Sequence, residues 1–84
     1  MKLQPQVSWE RGDTGPGYLF DRRGGGIYGL NATSALVLEG LEEGRDEDGL
    51  VALLIARGEV GELAARDDVR AFLFLLAEQG LVAS

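Results

Sequence analysis

Ile27-Tyr28-Gly29-Leu30-Asn31-Ala32-Thr33-Ser34-Ala35-Leu36-Val37-Leu38 is the stretch in which the chain changes its hydrophobic period. Its first four residues continue a β pattern. From Ala35 onward, apolar side chains return at three-residue spacing through Leu38 and Leu41, with Leu36 and Val37 widening the stripe. Asn31 or Thr33 supplies the cap of this helix, and Gly40 or Gly44 marks its end. Strands are therefore expected before this junction and helices after it, an α+β order.

Working upstream, Gln6-Val7-Ser8-Trp9-Glu10 alternates, with Val7 and Trp9 on one side and polar residues on the other, as a half-buried strand does. Arg11 to Gly17, with its Gly-Asp and Gly-Pro-Gly clusters, reads as a loop, and Tyr18-Leu19-Phe20 as a second strand. Asp21 to Gly26 is a turn leading into the third strand, Ile27 to Leu30. Three short strands joined by turns predict a three-stranded antiparallel meander.

Downstream, Asp46-Glu47-Asp48 offers a cap and carboxylates suited to the positive end of a second helix, with Leu50, Leu53 and Leu54 as its core face and Gly58 as its stop. Glu59 to Arg66 reads either as a loop or as an early helical turn. A third helix is expected from a cap at Asp67 or Asp68 to Gln79, with Gly80 as stop and Leu81-Val82 packing back. Within it, Ala71-Phe72-Leu73-Phe74-Leu75-Leu76-Ala77 has no polar face. A core stripe needs only Val69, Phe72, Leu73 and Leu76, so Phe74 and Leu75 are surplus. Either the fold wraps this helix from two sides, or the surplus forms a groove or a homodimer surface.

The 84 residues give room for one domain and one core. With 45% hydrophobic and 26% charged residues the composition is that of a globular protein. Cysteine is absent, the first residues lack the apolar run of a signal peptide, and no stretch approaches the length needed to cross a bilayer, which favours the cytoplasm and no membrane partner. A net charge of −6 repels phosphate backbones, so nucleic acid is not an expected partner. A winged-helix DNA-binding regulator is the alternative from another class, but the body of the third helix then offers only Arg70.

Gly24-Gly25-Gly26-Ile27-Tyr28-Gly29 spells the G-x-G-x-x-G of dinucleotide loops, yet it leads into strand residues rather than a helix, so it is read as a glycine turn. Asp46-Glu47-Asp48-Gly49 begins like a calcium loop, but Arg57 stands where a bidentate Glu belongs. Asn31-Ala32-Thr33 is a formal glycosylation sequon, relevant only to a secreted chain. With no His, no Cys and no evident base beside a Ser or Thr, neither an enzyme, a cofactor nor a metal site is expected.

Tyr28-Gly29-Leu30-Asn31-Ala32-Thr33-Ser34-Ala35, the acidic helix start, and Asp68-Val69-x-x-Phe72-Leu73-x-x-Leu76-x-x-x-Gly80-Leu81-Val82 together resemble the PqqD family of precursor-peptide recognition elements, over roughly Trp9 to Val82. The resemblance implies a winged-helix-like fold of three strands and three helices. It also implies that a leader peptide adds as a further strand beside the third strand and lies against the third helix. Carried onto this chain, the peptide-binding residues are Ile27, Tyr28, Gly29 and Leu30 on the strand and Asp68, Val69, Phe72, Leu75 and Leu76 on the helix. Leu19-Phe20-Asp21-Arg22-Arg23-Gly24 and Leu30 to Ala35 look more like lasso-peptide recognition proteins than the pyrroloquinoline quinone chaperone. The implied partners are a precursor leader peptide and a leader peptidase or other maturation enzyme.

Overall fold

The computed structural model describes residues 1–58 and 60–83. Its elements are β1 (Lys2–Leu3), β2 (Val7–Glu10), β3 (Tyr18–Asp21), β4 (Ile27–Gly29), α1 (Ala32–Glu42), α2 (Glu47–Gly58), α3 (Glu62–Glu78) and β5 (Val82–Ala83). The α+β order expected from the change of period is present: a three-stranded antiparallel sheet in the order β2-β3-β4, then three helices.

Register follows the alternation of side chains. Trp9 pairs with Leu19 and Leu19 with Tyr28, so these three share the face turned to the helices. Ser8, Phe20 and Ile27 share the opposite face. Leu19 is the fully buried member of the inner row, packed with Leu38 of α1, Leu50 and Leu54 of α2, and Val69 and Leu76 of α3. Gly17 immediately precedes β3 at φ +107°, and a Cβ there would fall 1.8 Å from the Glu10 carbonyl oxygen, so only glycine admits this approach of loop to strand.

Asn31, not Thr33, caps α1: its side-chain oxygen accepts from the Ser34 N–H at 2.7 Å and from the Ser34 hydroxyl at 2.9 Å. The helix runs through Gly40 and ends before Gly44. Gly40 is buried because α2 crosses close by, leaving 2.5 Å between a Cβ at that position and Leu50 Cδ2. Asp46 caps the start of α2 by accepting from the Gly49 N–H at 2.9 Å, which confirms a helix cap in place of a calcium loop. Leu50, Leu53 and Leu54 are all buried, as the expected core face requires.

The third helix departs from expectation at its start. It begins at Glu62 with Gly61 as cap, not at Asp67 or Asp68, and is 17 residues long. Of the ambiguous segment, Glu59 lies outside the described residues and Glu62 to Arg66 is helix. Ala65 is fully buried there, and two small helix-favouring residues, Ala64 and Ala65, let the helix start early. Glu47 of α2 accepts from Arg66 at 2.7 Å and from Arg70 at 3.1 Å, tying the two helices together. Hydrogen bonds to Glu47, then Asp48, push the Arg66 pKa above its ordinary value.

After α3 the chain turns at Gly80, and Leu81 packs back as expected, its N–H donating to the Leu76 carbonyl at 2.8 Å. Val82 and Ala83 then pair with Leu3 and Lys2 in a separate two-stranded sheet that the sequence reading did not anticipate. No helix among the described residues is long and apolar enough to cross a membrane.

Candidate functional site

The outer side of β4 is unpaired. In the β3–β4 ladder the Leu30 N–H donates to the Gly17 carbonyl at 3.0 Å and the Asp21 N–H to the Gly26 carbonyl at 2.9 Å. With Leu19 opposite Tyr28, that parity turns the Tyr28 N–H and C=O toward β3 and those of Ile27 and Gly29 away from it. Among the described residues no strand lies beyond β4. Two donors and two acceptors therefore face outward at alternate residues, the pattern an added strand engages. The chain stays extended through Asn31, at φ −106° and ψ 177°, before α1 begins.

This edge looks onto α3. The Tyr28 hydroxyl donates to Oε1 of Gln79 at 3.3 Å, joining the middle of β4 to the end of the helix. Beyond that contact lies a cleft of about 500 Å³, with Gly29, Asn31, Thr33 and Ser34 on one side and Asp68, Ala71, Phe72 and Leu75 on the other. Leu75 is 48% exposed and Phe72 is half-buried, so both present apolar surface without belonging wholly to the core. The helical spacing accounts for the grouping: residues 68, 71, 72 and 75 stand at i, i+3, i+4 and i+7 and form one stripe.

The residues expected at the site divide into two groups. Gly29, Asp68, Phe72 and Leu75 meet at the cleft. Ile27 contributes the exposed edge, and Tyr28 and Leu30 are half-buried against the core behind it. Val69 and Leu76 do not reach the surface: at 0% and 1% exposure they belong to the core and hold the wall from behind. Of the two surplus residues, Leu75 lines the cleft, whereas Phe74 is 67% exposed and not part of its lining. Helix geometry separates them, since one residue turns the side chain by about 100°.

Sequence reasoning left out Asn31, Thr33, Ser34 and Ala71 as cleft residues. Asn31 had been read as a helix cap, and its capping role is what brings it there, because the N-terminus of α1 lines the cleft. A second concavity, of about 610 Å³, lies between the first residues and α1, with Met1, Leu3, Pro5, Leu41 and Glu42 in its lining. Its strand components are the two-residue β1, too short to align an extended guest, and Val7 of β2, whose strand is already paired with β3. Among the described residues no group of His, Cys, Asp and Glu is placed to hold a metal ion.

α3 also bears on the DNA-binding alternative. Both its arginines, Arg66 and Arg70, are engaged with Glu47, and it carries Glu62, Asp67, Asp68 and Glu78 besides. A basic recognition surface is not formed there.

Comparison with known proteins agrees with this geometry. No curated protein sequence matches the chain. Two solved structures superpose along nearly its whole length. One is described as lasso peptide synthetase B1 complexed with the leader peptide, at 29% identity and a TM-score of 0.85, covering 99% of this chain and 96% of that one. The other is TbiB1 in complex with the TbiA(beta) leader peptide, at 28% identity and a TM-score of 0.86, covering both chains completely. The family described as Coenzyme PQQ synthesis protein D (PqqD) matches residues 17–82, which takes in β3, the open strand, all three helices and the start of β5. With the matched segment spanning both walls of the cleft, the chain belongs to the PqqD family.

Proposed function

We propose that the chain binds the leader region of a ribosomally synthesised precursor peptide by strand addition to β4, and presents it to a processing enzyme in lasso-peptide biosynthesis. The observation that carries this reading is the unpaired edge at Ile27 and Gly29 beside the apolar wall of Phe72 and Leu75. Both similar structures are described with a leader peptide, which supports the same role here.

Magnitudes divide the labour between edge and wall. Four outward backbone groups, at about 0.5–1.5 kcal/mol net each, contribute about 2–6 kcal/mol. Association costs roughly 4–15 kcal/mol in lost freedom, so the edge alone does not hold a peptide. A guest leucine buried against Phe72 and Leu75 adds about 1.5–3 kcal/mol, which makes apolar anchors the discriminating element. The chain's role is to hold and orient; the bond-breaking step belongs to a separate leader peptidase or other maturation enzyme. The complex is placed in the cytoplasm, where a newly made precursor is first available.

The test is a titration of the isotopically labelled chain with synthetic leader peptides of lasso-peptide precursors. Amide shifts should concentrate at Ile27 to Leu30 and along Asp68 to Leu75. Shifts confined to other segments, or none, would remove this reading. Sedimentation of the free chain at rising concentration separates it from self-association through Phe74 and Leu75, which would bury the same wall without a guest.

A further inference from the structure

Asp68 is the one charged side chain among the described residues that line the cleft. It takes part in no ion pair among them. The neighbouring cations are turned away: Arg66 and Arg70 both reach Glu47, on the side of α3 that packs against α2. An exposed carboxylate thus stands at one end of an otherwise uncharged, partly apolar trough.

Its place relative to the apolar wall is set by the helix. Asp68 precedes Leu75 by two turns on the same stripe, about 10 Å at 1.5 Å per residue. An extended guest covers that distance in about three residues at 3.3 Å each. Since guest side chains facing α3 alternate, the positions that satisfy the spacing lie two or four residues from the anchor seated on Leu75. Direction follows from the sheet. Every pair in it is antiparallel, and β4 runs from the Tyr28–Gln79 contact toward the Asn31 and Asp68 end. A guest strand antiparallel to β4 has its N-terminal side at Asp68.

We infer, resting on the leader-binding reading above, that Asp68 selects guests carrying Lys or Arg two or four residues before an apolar anchor. The cleft therefore reads a basic-then-apolar pattern, and the net charge of −6 on the whole chain favours approach of the same peptides.

A display selection of random decapeptides against the full wild-type chain and against Asp68→Asn tests this. Asp68 is exposed, so the isosteric change leaves the fold in place, to be checked by circular dichroism. The wild-type selection should enrich alternating apolar residues with a basic residue at one fixed position before them. The Asp68→Asn selection should keep the apolar alternation and lose the basic position. Selected peptides should bind the variant roughly two- to fivefold more weakly, as a solvent-exposed ion pair allows. That difference should shrink between about 0.05 and 0.5 M salt. Apolar enrichment without a basic position, or the same basic position in both selections, overturns the inference and leaves leader binding standing. Absence of any alternating pattern overturns both.

Discussion

The hydroxyl of Tyr28 lies 3.3 Å from Oε1 of Gln79, so the outermost strand of the sheet is fastened to the last turn of α3 across 51 residues of chain. The strand edge and the helix wall are thereby held at a defined separation before any guest arrives. Removing the hydroxyl with Tyr28→Phe keeps the ring and releases the tie. Stability should fall by no more than about 1 kcal/mol, because the bond is exposed. Amide exchange at Tyr28 should nevertheless rise several-fold while Leu38 in the core is unchanged, measured by hydrogen exchange of the free chain.

Gly29→Pro separates the edge from the sheet that carries it. The Gly29 N–H faces outward and nothing lies within 4 Å of a Cβ built there, so proline removes a donor to the guest without removing a ladder bond. The far-ultraviolet circular dichroism should match the parent, and leader affinity should fall about tenfold or more. Unchanged affinity by fluorescence anisotropy would place the guest elsewhere.

Adjacent leucines on α3 should respond oppositely. Leu75→Ala trims the cleft wall and should leave folding stability within about 0.5 kcal/mol while weakening leader binding about tenfold. Leu76→Ala opens a cavity beneath it and should cost about 2–5 kcal/mol of stability. Paired urea melts and binding isotherms distinguish the two, and equal effects on stability would contradict the burial pattern.

Gly17→Ala is expected to be among the most damaging small substitutions. The position combines φ +107° with a Cβ 1.8 Å from the Glu10 carbonyl oxygen, so backbone must move. A loss of at least about 2 kcal/mol should appear in urea unfolding, since strain and collision add.

Asn31→Ala removes the acceptor for the Ser34 N–H and hydroxyl. About 1 kcal/mol of stability should go with it, lowering Tm by about 4–8 °C in a domain of this size. Because Asn31 also lines the cleft, leader affinity should drop in the same variant, whereas Asn31→Asp should retain the cap and recover the Tm.

What could be read from the residues alone follows the range of the interactions. The strands around Leu19 and the helices around Leu38 and Leu50 announce themselves through local periodicity and side-chain caps such as Asn31 and Asp46. The start of α3 does not, because Gly61 makes no side-chain cap bond and the carboxylates at Asp67 and Asp68 resemble a cap from within the helix. Excess apolar character marked Phe74 and Leu75 as surplus to the core stripe, but only the helix's rotation about its axis shows that both are exposed and which of them faces the cleft. The same rotation sends Val69 and Leu76 inward, although family likeness had placed them at the binding surface. Ala71 carries no local sign of a role, and Thr33 signals at most a cap or a sequon, neither of which points to the cleft.

The pairing of Lys2 with Ala83 and of Leu3 with Val82 brings the first and last strands side by side. Four backbone positions thus close a long loop of chain that neither helix packing nor the main sheet closes. With β1 lying against α1 and β5 against α3, the pair straps the first helix to the last.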